Sequence, residues 1–562
     1  MKRIIIQNNN NINWSIFAAS HLHLLGVRHA CISPGARNSP LTFAFTEHSK
    51  IKCFSHSDER SSAFFALGLT KSTQKPVVLI CTSGTAGANY FPAVIEASLG
   101  RAPLIILTAD RPHNLVGTGA NQTIDQENLY GNHVRYFTDV GLPKNDYERL
   151  QEKLKSAFNL TTGFDLNQPP GPVHLNFPFD EPLLPENVCD INSPSFTFEN
   201  IEKSDAKFSI PILSKSTQPL IIVGPVEGNR HQKELIQLAE KIKAPILADA
   251  LSQLRFGSAS KIVLANYDYF LRYKEIIPDL IIRFGRKPTS KVLNQLLDNW
   301  KDRTILIDAW RQFNDDCPQF IQSTIGGYCQ YQIENCDWKG GEEWQNQLLA
   351  WEKQVSKFLL QESVYSEGTI AKCCVESIED GGKFFIGNSM PIRDVDMFSL
   401  TSTKRIDTYS NRGASGIDGV ISSSLGMSHN SENKNALLLI GDVSFYHDMN
   451  GLLASRYEVN LTIVVINNGG GGIFSFLPIA ESGVESFSQY WTTDTGLSIE
   501  KVAELYNSKY YLADNLQGLE KSIIDSFTIK GVKIIEVKTT IQKNIKAHNR
   551  LSNKIKAALS DD

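Results

Sequence analysis

The 562-residue sequence lacks three features that would each indicate a particular class of protein. Its nine cysteines include no C-x-x-C pair and several lie in apolar runs, so we expect reduced, mostly buried thiols. No apolar run reaches the roughly 18 residues that span a bilayer. The 56 basic and 60 acidic residues give a net charge of −4, without the basic excess of nucleic-acid-binding proteins. The composition therefore predicts a soluble, cytoplasmic protein with no nucleic-acid partner and no stable membrane insertion.

What the sequence does contain is a regular alternation of short apolar strands and helical stretches, which is typical of parallel α/β sheets. The alternation occurs in three blocks, and the chain length also suggests about three domains. A Ser-, Asn- and Lys-rich segment at about 188–218 and a polar stretch near 336–351 separate the blocks. We predict three doubly wound, mainly parallel-sheet α/β domains, at residues 1–187, 188–350 and 351–562.

Polar residues follow two predicted strands of the third block. Asp442 comes directly after the strand at 436–440 and its Gly441, whereas Asn468 and four glycines follow the strand at 461–466. The separation leaves room for one helix, so both strands should end at the same edge of a parallel sheet, where ligands bind. Carboxylate, amide and backbone carbonyl oxygens are ligands that Mg²⁺ accepts beside phosphate oxygens. Asp442, Asn468 and the Gly470 carbonyl are therefore predicted to hold Mg²⁺ (or Mn²⁺) and a diphosphate, although either piece alone could be a turn without a ligand.

Together these two pieces resemble the G-D-G…N-N signature of thiamine-diphosphate enzymes, with Val443 at the third position. This cofactor needs a carboxylate against its pyrimidine ring. Glu59, between a predicted strand and an apolar helix, is the predicted catalytic acid. The alternative role is an acid that favours the helix N-terminus, which we assign to Asp58. Because Glu59 and Asp442 lie in different domains, the resemblance implies active sites between subunits of a homodimer or homotetramer.

Several longer runs resemble one family, 2-succinyl-5-enolpyruvyl-6-hydroxy-3-cyclohexene-1-carboxylate (SEPHCHC) synthase of menaquinone biosynthesis. The resemblance covers nearly the whole chain and rests on SPGARNSP at 33–40, TSGTA at 82–86, TADRP at 108–112, GANQ at 119–122, GNS at 387–389, SNRGASGIDG at 410–419 and IFSFLP at 473–478. It implies a transferase that uses thiamine diphosphate to decarboxylate 2-oxoglutarate and adds the product to isochorismate.

The resemblance also implies roles for individual side chains, and arginine suits such dianionic substrates because it binds a carboxylate through two hydrogen bonds. By motif match, isochorismate would face Arg37, Arg111 and Lys291, with Gln122 as a catalytic residue near the reacting carbonyl. The far carboxylate of the 2-oxoglutarate-derived half would meet Ser389, Arg393 and Arg412, with Ser389 also touching the cofactor and Ile417 bending it. Alternatively, each arginine is a solvated or paired charge and Lys291 only begins a helix. Ala36 and Val292 replace a Ser and an Arg of some family members, which leaves the details of isochorismate binding open.

Three other functions compete with this interpretation. Another thiamine-diphosphate carboligase or 2-oxo acid decarboxylase, of the acetolactate-synthase type, would share the cofactor signature but lack the arginine loop at 410–419. An inactive cofactor-binding or scaffold protein is disfavoured by the intact Glu59, Asp442 and Asn468. A nucleotide-binding dehydrogenase would need a G-x-G-x-x-G run between a strand and a helix, and the sequence has none in that setting.

Overall fold

The computed structural model describes residues 9–144, 146–164, 166–184, 209–228, 231–311, 314–429 and 435–560. Of these residues, those that fall within 1–206, 411–430 and 450–457 form one compact unit, and the other described residues form a second. They contain three six-stranded sheets flanked by helices, and every strand pair within the sheets is parallel. The predicted α/β class with parallel sheets is therefore confirmed.

The first sheet has the strand order β2-β1-β3-β4-β6-β5. Its central strands are fully buried runs of Val, Ile and Leu, as expected for a sheet covered by helices on both faces. The strands are β1 His29–Ile32, β2 Lys52–Ser55, β3 Val77–Cys81, β4 Leu104–Asp110, β5 Phe137–Asp139 and β6 Val173–Pro178. The helices are α1 Asn10–Leu25, α2 Ser39–Thr46, α3 Glu59–Thr73, α4 Thr85–Asn89, α5 Phe91–Leu99 and α6 Tyr147–Thr162.

One predicted helix of this block is divided in two. The sequence indicated a single helical stretch over 86–97, but α4 ends at Asn89 and α5 begins at Phe91. Pro92 stands in the first turn of α5, the one part of a helix where a missing N–H and a fixed φ are tolerated. The chain therefore restarts a helix at this point instead of continuing the previous one.

The second sheet has the order β12-β11-β10-β7-β8-β9, which is the order of dinucleotide-binding sheets. Across its topological switch point, however, the Arg286 N–H donates to the Pro225 carbonyl at 3.1 Å, so the loops after β7 and β10 are bonded to each other. The strands are β7 Pro219–Val223, β8 Ile246–Ala248, β9 Val263–Leu264, β10 Leu280–Phe284, β11 Thr304–Asp308 and β12 Gln319–Gln322. The helices are α7 Gln232–Ile242, α8 Tyr267–Leu271, α9 Lys291–Asn299, α10 Ile325–Asn335 and α11 Glu342–Gln361.

Helix α11 occupies part of the stretch that we interpreted as a connection. Its buried residues recur every three to four positions, the pattern of an amphipathic helix, and they are Trp344, Leu348, Trp351, Val355 and Leu359. They share one apolar core with Leu220 and Ile222 of β7. The predicted domain boundary at 350/351 falls inside this helix, whereas the predicted linker lies outside the described residues up to 208.

The third sheet has the order β14-β13-β15-β16-β18-β17. Renumbered from its own first strand, this is the same order as in the first sheet. The strands are β13 Gly382–Ile386, β14 Ile406–Tyr409, β15 Ala436–Gly441, β16 Leu461–Asn467, β17 Lys509–Ala513 and β18 Val532–Lys538. The helices are α12 Glu367–Ser377, α13 Met390–Phe398, α14 Val420–His429, α15 Asp442–His447, α16 Ile499–Leu505, α17 Leu516–Phe527 and α18 Ile541–Ser560.

Helix α14 belongs to the first compact unit, where it packs against α3 with backbone close to backbone. A Cβ atom on Gly68 would lie 1.8 Å from the Ser423 carbonyl oxygen, and one on Gly426 would lie 2.0 Å from that of Phe65. The Ser423 hydroxyl also donates to the Phe64 carbonyl at 3.1 Å. The two helices are therefore fixed to each other by their main chains.

Candidate functional site

In the first unit, the loops at the carboxyl ends of neighbouring strands converge. Gln122 donates through its side chain to the Ser83 carbonyl at 3.1 Å, and the Ser83 hydroxyl donates to the Gln122 carbonyl at 2.9 Å. Arg111 follows β4 directly and donates to the Asn121 carbonyl at 3.1 Å. The structure thus brings the predicted residues Arg111 and Gln122 to one edge of the first sheet.

Arg37 lies in the loop after β1 and is 7% exposed. It donates to the Phe179 carbonyl at 2.9 Å and lies 3.4 Å from the Glu181 carboxylate, which is itself largely exposed. Among the described residues the buried Nε atoms of Arg37 and Arg111 have no hydrogen-bond partner. Each of these predicted isochorismate-facing arginines therefore has one donor that its neighbours leave unsatisfied.

Glu59 is the first residue of α3, immediately after β2, and is half-buried. Asp58 is the N-cap of this helix, because its side chain accepts from the Ser61 N–H at 3.2 Å. Burial raises the pKa of the Cys81 thiol at the end of β3, and the negative charge of Glu59 raises it further. The capping role predicted for Asp58 is confirmed, and the Glu59 carboxyl lies at the same sheet edge as the loop after β3.

Two further predicted residues lie in the loop that leads into α14. Arg412 is half-buried, and Ile417 is an exposed apolar side chain. The loop itself is bonded to the first unit, since the N–H groups of Gly413 and Ala414 donate to the Glu96 carboxylate at 2.8 and 2.7 Å. Sequence reasoning missed Glu96.

In the second unit, the strands β15 and β16 are adjacent and in register, with Gly441 opposite Ile466. The Asp442 carboxylate accepts from the N–H groups of Gly469 and Gly470 at 3.1 and 2.9 Å. The Asn468 amide oxygen also accepts from the Gly470 N–H, at 3.2 Å. A carboxylate and an amide oxygen, two ligand types that a hard cation accepts, therefore both accept from the same backbone N–H.

Gly470 has a backbone conformation that other residues rarely adopt, with φ = 131°. A Cβ atom there would lie 2.0 Å from the Thr492 carbonyl oxygen. Only glycine fits this position, so the Gly470 N–H can donate to Asp442 from this backbone conformation. Burial raises the pKa of Asp442 to about 6, against the opposing effect of the three backbone N–H groups that it accepts.

Glu367, the first residue of α12, is a second residue that sequence reasoning missed. It is 2% exposed, and its carboxyl accepts from the Asn468 side-chain N–H₂ at 2.8 Å. This bond turns the amide oxygen of Asn468 towards Gly470. Burial raises the pKa of the Glu367 carboxyl, and the charge of Asp394 adds to the rise.

Ser389 precedes α13 with φ = 70°, and its carbonyl accepts from Arg393 at 2.5 Å. Arg393 lines a cavity of about 590 Å³ in the second unit, and so does Lys291, the first residue of α9. The other wall residues include Thr289, Ser290, Asn294, Met390, Ile473, Phe476, Leu477, His548 and Ser552. The structure thus brings Lys291 and Arg393 to one cavity, although Lys291 also begins a helix, as the alternative interpretation held.

His548, also missed from the sequence, is fixed at the wall of this cavity. Its Nε2 lies 2.9 Å from the Asp394 carboxylate, which is completely buried. The His548 ring meets the Phe476 ring edge-on at 5.3 Å between centroids. An acid on α13 therefore orients a histidine on α18 beside the predicted substrate residues.

Family models match the chain in three segments. They are the N-terminal TPP-binding domain of thiamine pyrophosphate enzymes at residues 16–129, the middle domain of thiamine pyrophosphate at 213–386, and the C-terminal TPP-binding domain at 396–537. A 2-succinyl-5-enolpyruvyl-6-hydroxy-3-cyclohexene-1-carboxylate synthase of Listeria innocua is 40% identical over 95% of this chain and 96% of its own length. Proteins of the same name from Oceanobacillus iheyensis and Geobacillus kaustophilus are 40% and 37% identical over 96% of this chain, and over 96% and 98% of their own lengths.

The chain belongs to the SEPHCHC synthase family. This confirms the family predicted from the sequence motifs, and the matched domains confirm a thiamine-diphosphate-dependent transferase with thiamine diphosphate as its cofactor. The loop of Asp442, Asn468 and Gly470 is held together by hydrogen bonds from the Gly470 N–H to the Asp442 and Asn468 oxygens, and its role in binding the cofactor stays a prediction. No helix among the described residues is long and apolar enough to cross a membrane.

The predicted metal is not carried by a cluster of acidic or imidazole side chains. Within the described ranges, no group of three or more His, Cys, Asp or Glu residues could hold a metal ion. In a synthase of this family, a Mg²⁺ site at Asp442 would therefore depend on neutral amide and carbonyl oxygens, and on the phosphate oxygens of the cofactor. The roles assigned to the metal- and substrate-binding residues remain predictions.

Proposed function

We propose that this synthase decarboxylates 2-oxoglutarate with thiamine diphosphate and adds the resulting four-carbon unit to isochorismate, forming SEPHCHC in menaquinone biosynthesis. The observation that carries this proposal is the cavity of the second unit, which both Lys291 and Arg393 line. Lys291 and Arg393 suit substrates that each carry two carboxylates. The same cavity is also lined by Arg272 and by Asp268, Asp298 and Asp396. A monocarboxylic donor, as in the acetolactate-synthase type of enzyme, would have no second carboxylate to offer to Arg393.

The cavity adjoins the cofactor loop along the chain. Ile473 follows Gly470 by three residues, and Met390 follows Ser389 directly, so both cavity walls continue from loops at the carboxyl edge of the third sheet. We propose that Asp442, the Asn468 amide oxygen and the Gly470 carbonyl hold Mg²⁺ (or Mn²⁺) and thereby the diphosphate. A substrate bound in the cavity would then lie next to the bound cofactor.

When bound, thiamine diphosphate supplies the nucleophilic carbon and the electron sink of the reaction. Glu59 is proposed to hold the proton exchanged with the pyrimidine ring, which suits a half-buried carboxyl at a helix start. Gln122 would lie near the reacting carbonyl, and Ile417 would be the apolar wedge under the cofactor. Arg37 and Arg111 would contact isochorismate through their terminal guanidinium nitrogens, because their Nε atoms are buried.

The remaining carboxylate of the 2-oxoglutarate-derived half would be bound by Arg412 with Ser389 and Arg393. We further propose a homodimer or homotetramer in which Glu59 of one subunit serves the cofactor held by Asp442 of another. The domain boundaries at 187/188 and 350/351 are retained as proposals, with the second one lying inside α11.

The experiment incubates the full chain with 2-oxoglutarate, isochorismate, thiamine diphosphate and Mg²⁺, and identifies the product by mass. We expect SEPHCHC. A parallel incubation replaces 2-oxoglutarate by pyruvate, and a product formed only from pyruvate would favour the other carboligases. Glu59→Gln should retain diphosphate binding but lose at least about 100-fold in turnover, the usual range for general acid–base groups. Asp58→Asn is the matched control, because Asn is an equally good N-cap. Turnover near the parent value in Glu59→Gln would contradict the assigned role.

A further inference from the structure

A buried carboxylate fastens the loop that carries Arg412. Glu96 of α5 is 3% exposed, and its two carboxylate oxygens accept three consecutive backbone N–H groups. Gly413 donates at 2.8 Å, Ala414 at 2.7 Å and Ser415 at 3.3 Å. A single side chain of the first domain thus satisfies the main chain on the carboxyl side of Arg412.

A buried lysine completes the attachment on the other side of Arg412. Lys71 of α3 is 5% exposed and lies 3.5 Å from the Glu96 carboxylate. The same ammonium donates to the Asn411 amide oxygen at 3.0 Å, and the Asn411 N–H₂ donates to Ser423 at 3.0 Å. Both neighbours of Arg412 are therefore held by the Lys71–Glu96 pair.

The attachment depends on the negative charge of Glu96 and on the absence of a side chain at Gly413. A Gln at position 96 has one oxygen and one N–H₂ group, so at least one loop N–H would face another donor. Removing one partner of a buried ion pair also leaves the other charge without compensation. At Gly413, a Cβ atom would lie 2.5 Å from the Glu96 carbonyl oxygen and 2.7 Å from the Gly100 nitrogen, so the loop rests directly on α5.

We propose that Glu96 is a positioning residue for the 2-oxo acid donor: it sets where the loop at 411–415 presents Arg412. This inference rests on the proposed function, in which Arg412 binds the second carboxylate of the donor. It adds that donor selectivity is set partly by α5 of the first domain, by a residue that does not itself touch substrate. Loss of Glu96 should therefore act as a loss of correctly placed Arg412.

The test compares Glu96→Gln, Arg412→Ala and the double variant in the full-length holoenzyme, with 2-oxoglutarate and with pyruvate as donors. We expect Glu96→Gln to raise KM for 2-oxoglutarate about tenfold, with kcat and the constants for pyruvate changed less than about threefold. The double variant should be no worse than Arg412→Ala alone, because residues that act through one another are not additive. Amide hydrogen exchange at 413–415 should also become faster in Glu96→Gln.

Two further variants keep the test decisive. Gly413→Ala moves the loop without removing the carboxylate, and it should reproduce the selective loss if Glu96→Gln fails to fold. Asp279→Asn is the matched control, since Asp279 accepts the N–H groups of Thr217 and Gln218 at 2.9 and 3.0 Å in the central domain. It should leave the preference between the two donors unchanged.

The outcomes distinguish a failure of the role proposed for Glu96 from a failure of the proposed function. The role of Glu96 would be overturned if Arg412→Ala selectively impaired the use of 2-oxoglutarate and neither Glu96→Gln nor Gly413→Ala did so. An additive loss in the double variant would overturn it as well. Both results would leave the proposed function standing. Equal losses for both donors in Arg412→Ala would overturn the carboxylate-binding role of Arg412 itself, and the inference with it.

Discussion

Replacing Gly470 by alanine should release the diphosphate while leaving the domain folded. The added Cβ would lie 2.0 Å from the Thr492 carbonyl oxygen, and φ = 131° is unfavourable for any residue with a side chain. The backbone strain costs about 1–3 kcal/mol. Moving the loop to relieve the overlap would also break the bond from the Gly470 N–H to the Asp442 carboxylate, worth about 1.5–3 kcal/mol.

If the variant loop must return to the parent geometry to bind the cofactor, these terms, together about 2.5–6 kcal/mol, are lost from the binding free energy. The lower end corresponds to roughly a 60-fold weaker affinity at 1.4 kcal/mol per factor of ten. Isothermal titration calorimetry with thiamine diphosphate in excess Mg²⁺ measures this directly, and a thermal melt checks the fold. Gly518→Ala is the control, because a Cβ there makes only ordinary contacts of 3.4 Å or more within α17. Affinity within about threefold of the parent in Gly470→Ala would refute the assigned loop geometry.

Three other predictions follow from separate parts of the molecule. Lys291→Met should raise KM for isochorismate about tenfold and leave decarboxylation of 2-oxoglutarate alone nearly unchanged, so an equal effect on both reactions would contradict its assignment. Gly68→Ala should lower the free energy of unfolding by about 1–3 kcal/mol in urea titrations, because its Cβ would overlap the Ser423 carbonyl; no change would mean that α3 and α14 separate freely. Burial lowers the pKa of His174 from 6.5 to about 3. Between these two pH values the unfolded chain binds a proton at His174 and the folded chain does not, so the free energy of unfolding decreases as the pH falls below 6.5. At pH 5 the loss from this residue is about 2 kcal/mol, and His174→Gln should reduce the difference in unfolding free energy between pH 7 and pH 5 by that amount, whereas an unchanged difference would exclude the mechanism.

The sequence predicted every interior strand of the three sheets but only two of the six edge strands, β2 and β14. Strands such as β3 and β4 are runs of Val, Ile and Leu because both faces are covered, and that pattern is readable without any tertiary information. The four strands that we did not predict, β5, β9, β12 and β17, all lie at the edge of a sheet. They are short or carry polar residues, as in Gln319–Gln322, because an edge strand is only partly buried.

In the candidate site, residues marked by a local sequence pattern could be predicted, whereas residues whose partners are distant in the chain could not. Asp442 and Asn468 could be placed together because right-handed crossovers bring consecutive parallel strands to one edge. Glu367 and Glu96 could not, since their partners lie 101 and 317 residues away in the chain and no local pattern marks them. Their chemical role is visible only once buried carboxylates are traced to the N–H groups that they accept.

The main-chain contact between α3 and α14 has a consequence for redesigning this enzyme. Glu59 begins α3, and the loop with Arg412 and Ile417 leads into α14, so the proposed acid and the proposed wedge are mounted on one rigid pair of helices. Directed evolution towards new donors would gain little from random substitution in these helices, because any tilt moves both groups at once. Libraries confined to residues 412–416, which leave Ile417 unchanged, would alter donor choice while the geometry of proton transfer is preserved.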